Sequence, residues 1–439
     1  MRVVLVTNLP PPYRVPIFNR LARHPALDFH AVFCATREPN RAWDLPPMEF
    51  IHHSLREHYL TMRGRYIHHN PDILPLLQRL QPRVVITDGF NPTHLYAFGW
   101  ARWHQRAHIA MTDGTDQSER ALTLLHQLAR RVVFRRSQAF IAASEGGQRL
   151  FRAYGVDRSR CTYSWLCIDN AAFAPAAGVD RPYDLLFCGR LEPAKDPLFA
   201  LAVARETARR LGRRVRLLVV GAGSLEGRLR QAARAGIGSV ELCLHGFASQ
   251  AELPALYQSA RVFLFPTHGD AWGIVANEAC AAGLPVLVTP HAGVAGELVI
   301  EGRNGHVREL RVDEWASCAM RLLTDEGRWR ACSRYGLQRV QRYTFDSAAQ
   351  GIVDACRIAT SAIVGNGLDQ VTRQASHQTP PLPRRSPAAA STATSAATPM
   401  FAASALPSVP PPHAPRAQAD STAAPAAEGC RQDGERRHR

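Results

Sequence analysis

Lysine is almost absent from this 439-residue chain: Lys195 is the only one, and every other member of the 53 basic residues is arginine. Cationic contacts elsewhere must use a planar, always charged guanidinium, while one position keeps a compact ammonium on a flexible stem. The 10 cysteines never stand as Cys-x-x-Cys pairs, which excludes a zinc or dithiol site built on that spacing. They fall in apolar runs such as Leu186-Phe187-Cys188, as small buried side chains of a reducing compartment do. No apolar run reaches the ~20 residues that cross a bilayer. Met1-Arg2 leads directly into Val3-Val4-Leu5-Val6-Thr7, a first strand and not a signal sequence. These absences predict a cytoplasmic protein, with room for peripheral contact at the inner face of the membrane. Acid is also scarce: 37 acidic residues leave a net charge of +16. That excess favours phosphorylated ligands, an anionic membrane surface or nucleic acid, or else describes a solvated arginine-rich surface. Nucleic acid is the weakest of these, because no recognised motif or stacking array accompanies the charge.

What the chain has is apolar content, 46%, enough for two cores in a length that exceeds one ordinary domain. Short β-branched runs alternate with longer helical patterns: Val3 to Thr7 then Val15 to Ala22, Val84 to Thr87 then Thr93 to Trp103, Ala139 to Ala142 then Glu145 to Tyr154. Alternation of this kind predicts parallel strands with crossover helices. Periodicity lapses over Ala171 to Pro182, the expected linker, and resumes through Asp184 to Cys188, Pro197 to Leu211, Val215 to Val220, Ser224 to Ala235, Arg261 to Phe265, Ile274 to Ala282 and Pro285 to Thr289. The expected fold is α/β, with Rossmann-like doubly wound domains over 1–178 and 183–342. From about Ser361 the chain is rich in Pro, Ala, Ser and Thr, so 361–439 is expected to be a disordered tail, either a docking arm ending in Arg436-Arg437-His438-Arg439 or a bland extension.

Ligands of open α/β sheets bind beyond the carboxyl ends of the strands, so the loops there carry the chemistry. One such loop reads Gly189-Arg190-Leu191-Glu192-Pro193-Ala194-Lys195-Asp196-Pro197, a turn with two cations just before a helix. Free N–H groups, helix dipole and side chains together suit a diphosphate, although two surface cations near a turn would read the same way. The next strand ends in Gly221-Ala222-Gly223-Ser224, with a serine suited to capping the following helix. The most specific stretch runs from Phe265-Pro266-Thr267-His268-Gly269-Asp270 to Gly283-Leu284-Pro285-Val286. Asp270 stands at a helix entrance and Glu278 two turns on, so both carboxylates can address one cleft. Glu278 sits among Ala276, Ala279, Ala281 and Ala282, where a carboxylate needs hydrogen-bond donors such as sugar hydroxyls, or a neighbouring loop to cap.

This stretch resembles the signature of glycosyltransferase family 4, the group 1 glycosyltransferases: retaining GT-B enzymes in which an acidic residue, seven others and a glutamate precede a Gly-x-Pro-Val turn. Gly189-Arg190-Leu191 with Lys195, Gly221-Ala222-Gly223, and Gly293-Val294-Ala295-Gly296-Glu297-Leu298 before Asn304-Gly305 follow the family's order, and Thr7-Asn8-Leu9-Pro10-Pro11-Pro12-Tyr13-Arg14 resembles its opening. The resemblance implies a GT-B fold with a central cleft and a helix over 343–360 crossing back to the first domain. It implies that Arg190 and Lys195 hold a donor diphosphate, Asp270 the transferred sugar and Glu278 the ribose. Gly189, Gly221, Gly223, Gly293, Val294 and Glu297 would line the nucleotide site, with backbone N–H groups at Gly221 and Gly293-Val294 offered to the ligand. The implied activity is retaining hexosyl transfer from a UDP- or GDP-sugar to a glycan or lipid-linked acceptor in cell-surface polysaccharide synthesis. Neither cofactor nor metal is implied, since no Asp-x-Asp pair stands at the donor loops.

Two departures stand out. The first acid is Asp270 where glutamate is commoner, and the acceptor-side histidine of many relatives is replaced by Met111-Thr112-Asp113-Gly114, with His94, His104 and His108 out of register. Asp113 is accordingly expected to contact sugar or acceptor. Other readings are a sugar-nucleotide epimerase of the same two-domain shape and a non-catalytic homologue used in assembly; the intact donor half argues against the latter. Arg130, Arg131, Arg135 and Arg136 around Val132-Val133-Phe134 fit either an anionic lipid or lipid-diphosphate contact or a solvated helix face.

Overall fold

The computed structural model describes residues 1–36, 45–62, 65–119, 123–176, 178–235 and 238–377. The first domain holds β1 (Arg2–Thr7), β2 (Asp28–Phe33) and β3 (Ile51–Ser54), an antiparallel hairpin of β4 (Tyr59–Met62) and β5 (Arg65–His68), then β6 (Val84–Thr87), β7 (Ala107–Thr112), β8 (Ala139–Ala142) and β9 (Cys161–Tyr163). Without the hairpin these form one parallel sheet in the order β3-β2-β1-β6-β7-β8-β9. The second domain holds β10 (Tyr183–Cys188), β11 (Val215–Val220), β12 (Val240–Gly246), β13 (Ala260–Phe265), β14 (Val286–Val288) and β15 (Gly305–Val307), again parallel, in the order β12-β11-β10-β13-β14-β15. The two doubly wound sheets expected from the alternation are therefore present.

The central strands of both sheets are buried on both faces, as parallel strands joined by crossover helices must be. In β10, Leu185 and Phe187 face Ala200, Val203 and Ala204 of helix Pro197–Leu211 and Trp315 of helix Val312–Thr324. Leu186 and Cys188 face the opposite core with Ala276, Ala279 and Cys280 of helix Ile274–Ala281. In each sheet the strand order reverses next to the first strand, between β1 and β6 and between β10 and β13. Loops diverge there and leave a crevice at the carboxyl ends, so these two switch points fix where a ligand can sit.

The closing helix, Phe345–His377, packs on the first domain: Arg20 pairs with Asp346 at 2.5 Å, and Thr162 Oγ1 donates to Gly351 O at 2.7 Å. It runs beyond residue 360, where composition alone places the start of the tail. Ala348, Ile352, Ala355, Cys356 and Ala359 are buried, so the costly helical nucleus is anchored and further turns propagate from it. Residues 378–439, most of the expected tail, lie outside the described residues, as does residue 177 of the linker. No helix among the described residues is long and apolar enough to cross a membrane. Of the described cysteines all are free and all but Cys161 and Cys243 are buried.

Candidate active site

The switch point of the second sheet brings together two residues 75 positions apart. Lys195, in the loop after β10, donates from Nζ to Asp270 Oδ2, after β13, at 2.6 Å and to Thr267 Oγ1 at 3.4 Å. The ammonium also stands 5.8 Å from the centroid of Phe265, and only about a sixth of the side chain is exposed. Asp270 Oδ1 accepts from Trp272 N at 3.1 Å, which fixes the carboxylate. Thr267 Oγ1 reaches Ala194 O at 3.1 Å and His268 N–H donates to the same carbonyl at 2.9 Å, locking the two loops to each other. Arg190 is exposed on the same loop and has no ion-pair partner among the described residues.

Glu278 is buried on helix Ile274–Ala281, near Cys188 at the end of β10 and the hydroxyl of buried Tyr257. Burial raises its carboxyl to about 7, and the Tyr257 hydroxyl pulls the other way. Tyr257 was not foreseen: a tyrosine at the end of an apolar helix reads as ordinary core.

Several expected roles are corrected by the geometry. The Gly221 N–H donates to Gly246 O at 2.7 Å, Gly293 N–H to Asp270 O at 3.0 Å and Val294 N–H to Trp272 O at 3.0 Å, so none of the three is free for a ligand. What the glycines provide is close backbone approach. A Cβ on Gly221 would lie 1.9 Å from Gly189 O, and one on Gly293 would lie 2.0 Å from Ala271 O. Gly189 and Gly223 belong to the same seam, with Leu191 N–H donating to Ala222 O at 2.9 Å. The helix start at Pro197 is already capped, because the Asp196 carboxylate, on a left-handed backbone with φ 46°, accepts from Phe199 N at 3.1 Å. Ser224 caps nothing; its N–H and hydroxyl donate to Glu192 at 3.0 and 2.6 Å, and the helix begins at Glu226.

Glu297 also has a partner within the protein. Its Oε2 accepts from the N–H of Glu145, the first residue of helix Glu145–Ala153 in the first domain, at 2.9 Å. The carboxylate thus serves a helix N-terminus across the cleft, where a positive dipole end welcomes it. Glu145 accepts from Tyr163 at 2.6 Å and Arg342 at 3.0 Å. Burial, ahead of the nearby Glu145 charge, pushes Glu297 up to about 7. Because this bond joins the loop after β8 to the loop after β14, the carboxyl-end loops of the two sheets face each other.

The first sheet's switch point holds a second charged group. Asp113, after β7, accepts from Arg14 Nη2 at 2.5 Å, and Arg14 Nη1 donates to Ser164 O at 3.0 Å and Ser164 Oγ at 2.9 Å. The Arg14 side chain is 1% exposed, while that of Asp113 keeps 33%. Asp88, after β6, accepts from Thr7 Oγ1 at 3.3 Å; burial, then the Asp113 charge, raises it to about 7 against the pull of Arg14. Arg14, Asp88 and Ser164 were missed. A signal existed: Thr-Asp-Gly ends both β6 (Thr87-Asp88-Gly89) and β7 (Thr112-Asp113-Gly114), so neighbouring strands present the same acid at the same edge. His94 and His108 are both buried and pushed down to about 3 by that burial, so neither is charged at neutral pH.

The arginine cluster divides. Val133 and Phe134 are buried, and Arg130 pairs with Glu119 and lies 4.9 Å from the Phe90 centroid, so the surface expected around them is not exposed. Arg131, Arg135 and Arg136 are exposed.

Residues 171–339 match the family described as glycosyl transferases group 1. The chain is 28% identical over 273 residues to D-inositol 3-phosphate glycosyltransferase of Rhodococcus jostii, covering 57% of this chain and 58% of that protein. It is 34% identical over 168 residues to the protein of that name from Streptomyces coelicolor, 36% of each chain. The chain thus spans about half, or less, of the length of these relatives. Among solved structures, Anabaena HepE in complex with UDP superposes with a TM-score of 0.66 at 14% identity, over 81% of this chain and 100% of that one. Sucrose-phosphate synthase from Thermosynechococcus elongatus does so with 0.62 at 16%, over 82% and 100%. At these identities the likeness establishes the fold, which is GT-B.

Proposed function

We propose, from the premise that residues 171–339 are a group 1 glycosyltransferase domain within a GT-B fold, that this protein transfers a sugar from a nucleoside-diphosphate donor to a hydroxylated acceptor with retention of anomeric configuration. The observation that carries the reading is the 2.6 Å contact of Lys195 with Asp270 across the β10/β13 switch point, beside the uncommitted Arg190. A diphosphate entering there competes with Asp270 for the ammonium. Lys195 and Arg190 then meet the charge that grows on the leaving group, which fixed cations stabilise more strongly in the transition state than in the ground state. Asp270, relieved of its partner but still held by Trp272 N–H, accepts from hydroxyls of the transferred sugar. Glu278 accepts from the ribose, and donors there offset the cost of its burial. On the facing domain Arg14 holds Asp113 toward the cleft, where it accepts from an acceptor or sugar hydroxyl.

The donor is read as a UDP- or GDP-sugar; the structural neighbour Anabaena HepE, crystallised with UDP, supports the former. The acceptor is read as a glycan or lipid-linked compound of cell-surface polysaccharide synthesis. A thermal-shift series with UDP, GDP, ADP and CDP tests the donor half, because a ligand at a hundred times its Kd stabilises the native state by about 2.7 kcal/mol. One nucleotide is expected to raise the melting temperature above the rest. No shift with any at millimolar concentration would refute the proposal.

A further inference from the structure

Of the ten large apolar side chains exposed among the described residues, four lie on one thirteen-residue helix, Leu124–Arg136: Leu124 at 83%, Leu125 at 75%, Leu128 at 57% and Val132 at 40%. Scattered exposed leucines need no explanation, but a contiguous row on one helix does. At about 100° per residue the exposed arc reads, in angular order, Arg131, Leu124, Arg135, Leu128, Val132, Leu125, Arg136. Arginine therefore borders the apolar stripe on both sides. The opposite face is satisfied: Val133 and Phe134 pack in the core, and Arg130 is taken by Glu119. The helix contains no acidic residue, and Arg131, Arg135 and Arg136 have no ion-pair partner among the described residues.

We propose that this helix face docks on an anionic lipid bilayer, with Leu124, Leu125, Leu128 and Val132 entering the boundary between headgroups and acyl chains and the three arginines resting on anionic headgroups. Charge complementarity selects this occupant. Nucleic acid would reward the arginines but not four aliphatic side chains, and an uncharged apolar partner would leave the guanidiniums unmatched. Arginine's long stem lets the charge stay at the interface while the stripe sinks, which a shorter cation could not do. The helix begins at the edge where β7 ends and runs back antiparallel to the strands, with Arg130 near Gly114. Leu124 and Leu125 therefore stand on the side of the sheet that carries Asp113. The inference concerns a surface apart from both switch points, and it stands or falls whatever sugar is moved.

The test is flotation of the full-length chain with vesicles of phosphatidylcholine alone and of phosphatidylcholine with 30% phosphatidylglycerol. Each basic residue at such a surface is worth about a factor of five, so the wild type should prefer the anionic vesicles by roughly a hundredfold at low salt. Leu124→Asn with Leu128→Asn should weaken binding to the anionic vesicles at least tenfold, although every charge, including those of residues 378–439, is retained. Replacing Arg131, Arg135 and Arg136 by Gln should abolish the preference for anionic lipid. All these positions are exposed, so unchanged thermal unfolding will establish that the variants fold. Equal vesicle binding by the wild type and the leucine variant, or no binding by the wild type, would overturn the proposal. So would a wild-type dimer that the leucine variant converts to monomer without loss of vesicle affinity, since the stripe would then be a contact between copies.

Discussion

The two switch points use their cations in opposite ways. In the first domain Arg14 is sealed beneath the surface, with Asp113, Ser164 and the neighbouring Asp88 around it, so its charge is already spent on the protein. In the second domain Lys195 has one carboxylate partner at a half-open edge, and Arg190 has none among the described residues. The first arrangement presents acids to the cleft on a rigid cation; the second keeps cations available to an incoming anion. On the proposed reading, one fold used twice yields a hydroxyl-facing and a phosphate-facing edge from the choice of which partner is buried.

The sharpest way to break this contrast is to remove the buried cation. Arg14→Ala leaves Asp113 and the Ser164 acceptor without their donor, and should cost about 3–5 kcal/mol of stability in denaturant unfolding. Adding Asp113→Asn should recover part of that loss. A single variant within about 1 kcal/mol of wild type would mean that Arg14 is no more structural than Lys195.

Lys195 should behave in the other sense, altering rate and not stability. Its ammonium fits between Asp270, Thr267 and the Phe265 ring, a space that a planar guanidinium cannot enter without shifting the charge. A displacement of about 1 Å costs on the order of a hundredfold in rate. Lys195→Arg is therefore expected to unfold as wild type does while release of nucleoside diphosphate from donor falls by that factor, more in turnover than in affinity. Full activity would make this lysine incidental.

The third effect is smaller and has two signs. Glu278 stands at about 7 in the folded protein against an ordinary 4.5, so the native state holds the extra proton between those values and stability falls as pH rises through them. Glu278→Gln does not titrate there, and should be more stable than wild type at pH 8 by on the order of 3 kcal/mol, with the difference gone at pH 4. Nucleotide affinity should move the opposite way, falling about tenfold or more at pH 8, because the charged acceptor for the ribose is lost. Denaturant unfolding at pH 4 and pH 8 checks the first effect and calorimetric titration of the nucleotide at pH 6 and pH 8 the second; equal affinities for wild type and variant would overturn the ribose role proposed for Glu278.

The makeup of the second domain's strand-end loops was legible because they are contiguous in the sequence. Arg190 with Lys195, and Asp270 with Glu278, stand within single strand–loop–helix units whose periodicity marks the loops. Donor and acceptor roles for individual backbone groups were not legible. Gly221, Gly293 and Val294 read as donors to a ligand, but a backbone N–H goes to whichever carbonyl the neighbouring loop supplies, and only the packed loops reveal that. The contact of Glu297 with Glu145 was hidden for the same reason, that partner lying 152 residues away on the other domain. Arg14 was hidden by its residue type, since an arginine after three prolines reads as surface.

The sequence by itself determined two parallel α/β units, the order of their elements and the chemical types at each strand end, because hydrophobic period and turn residues act over a few positions. Only the tertiary structure decided that β10 lies beside β13 and β1 beside β6. Strand order is set by packing of whole layers, not by local pattern, and it is this order that joins Lys195 to Asp270, brings Arg14 to Asp113 and buries one cation while leaving the other partly exposed.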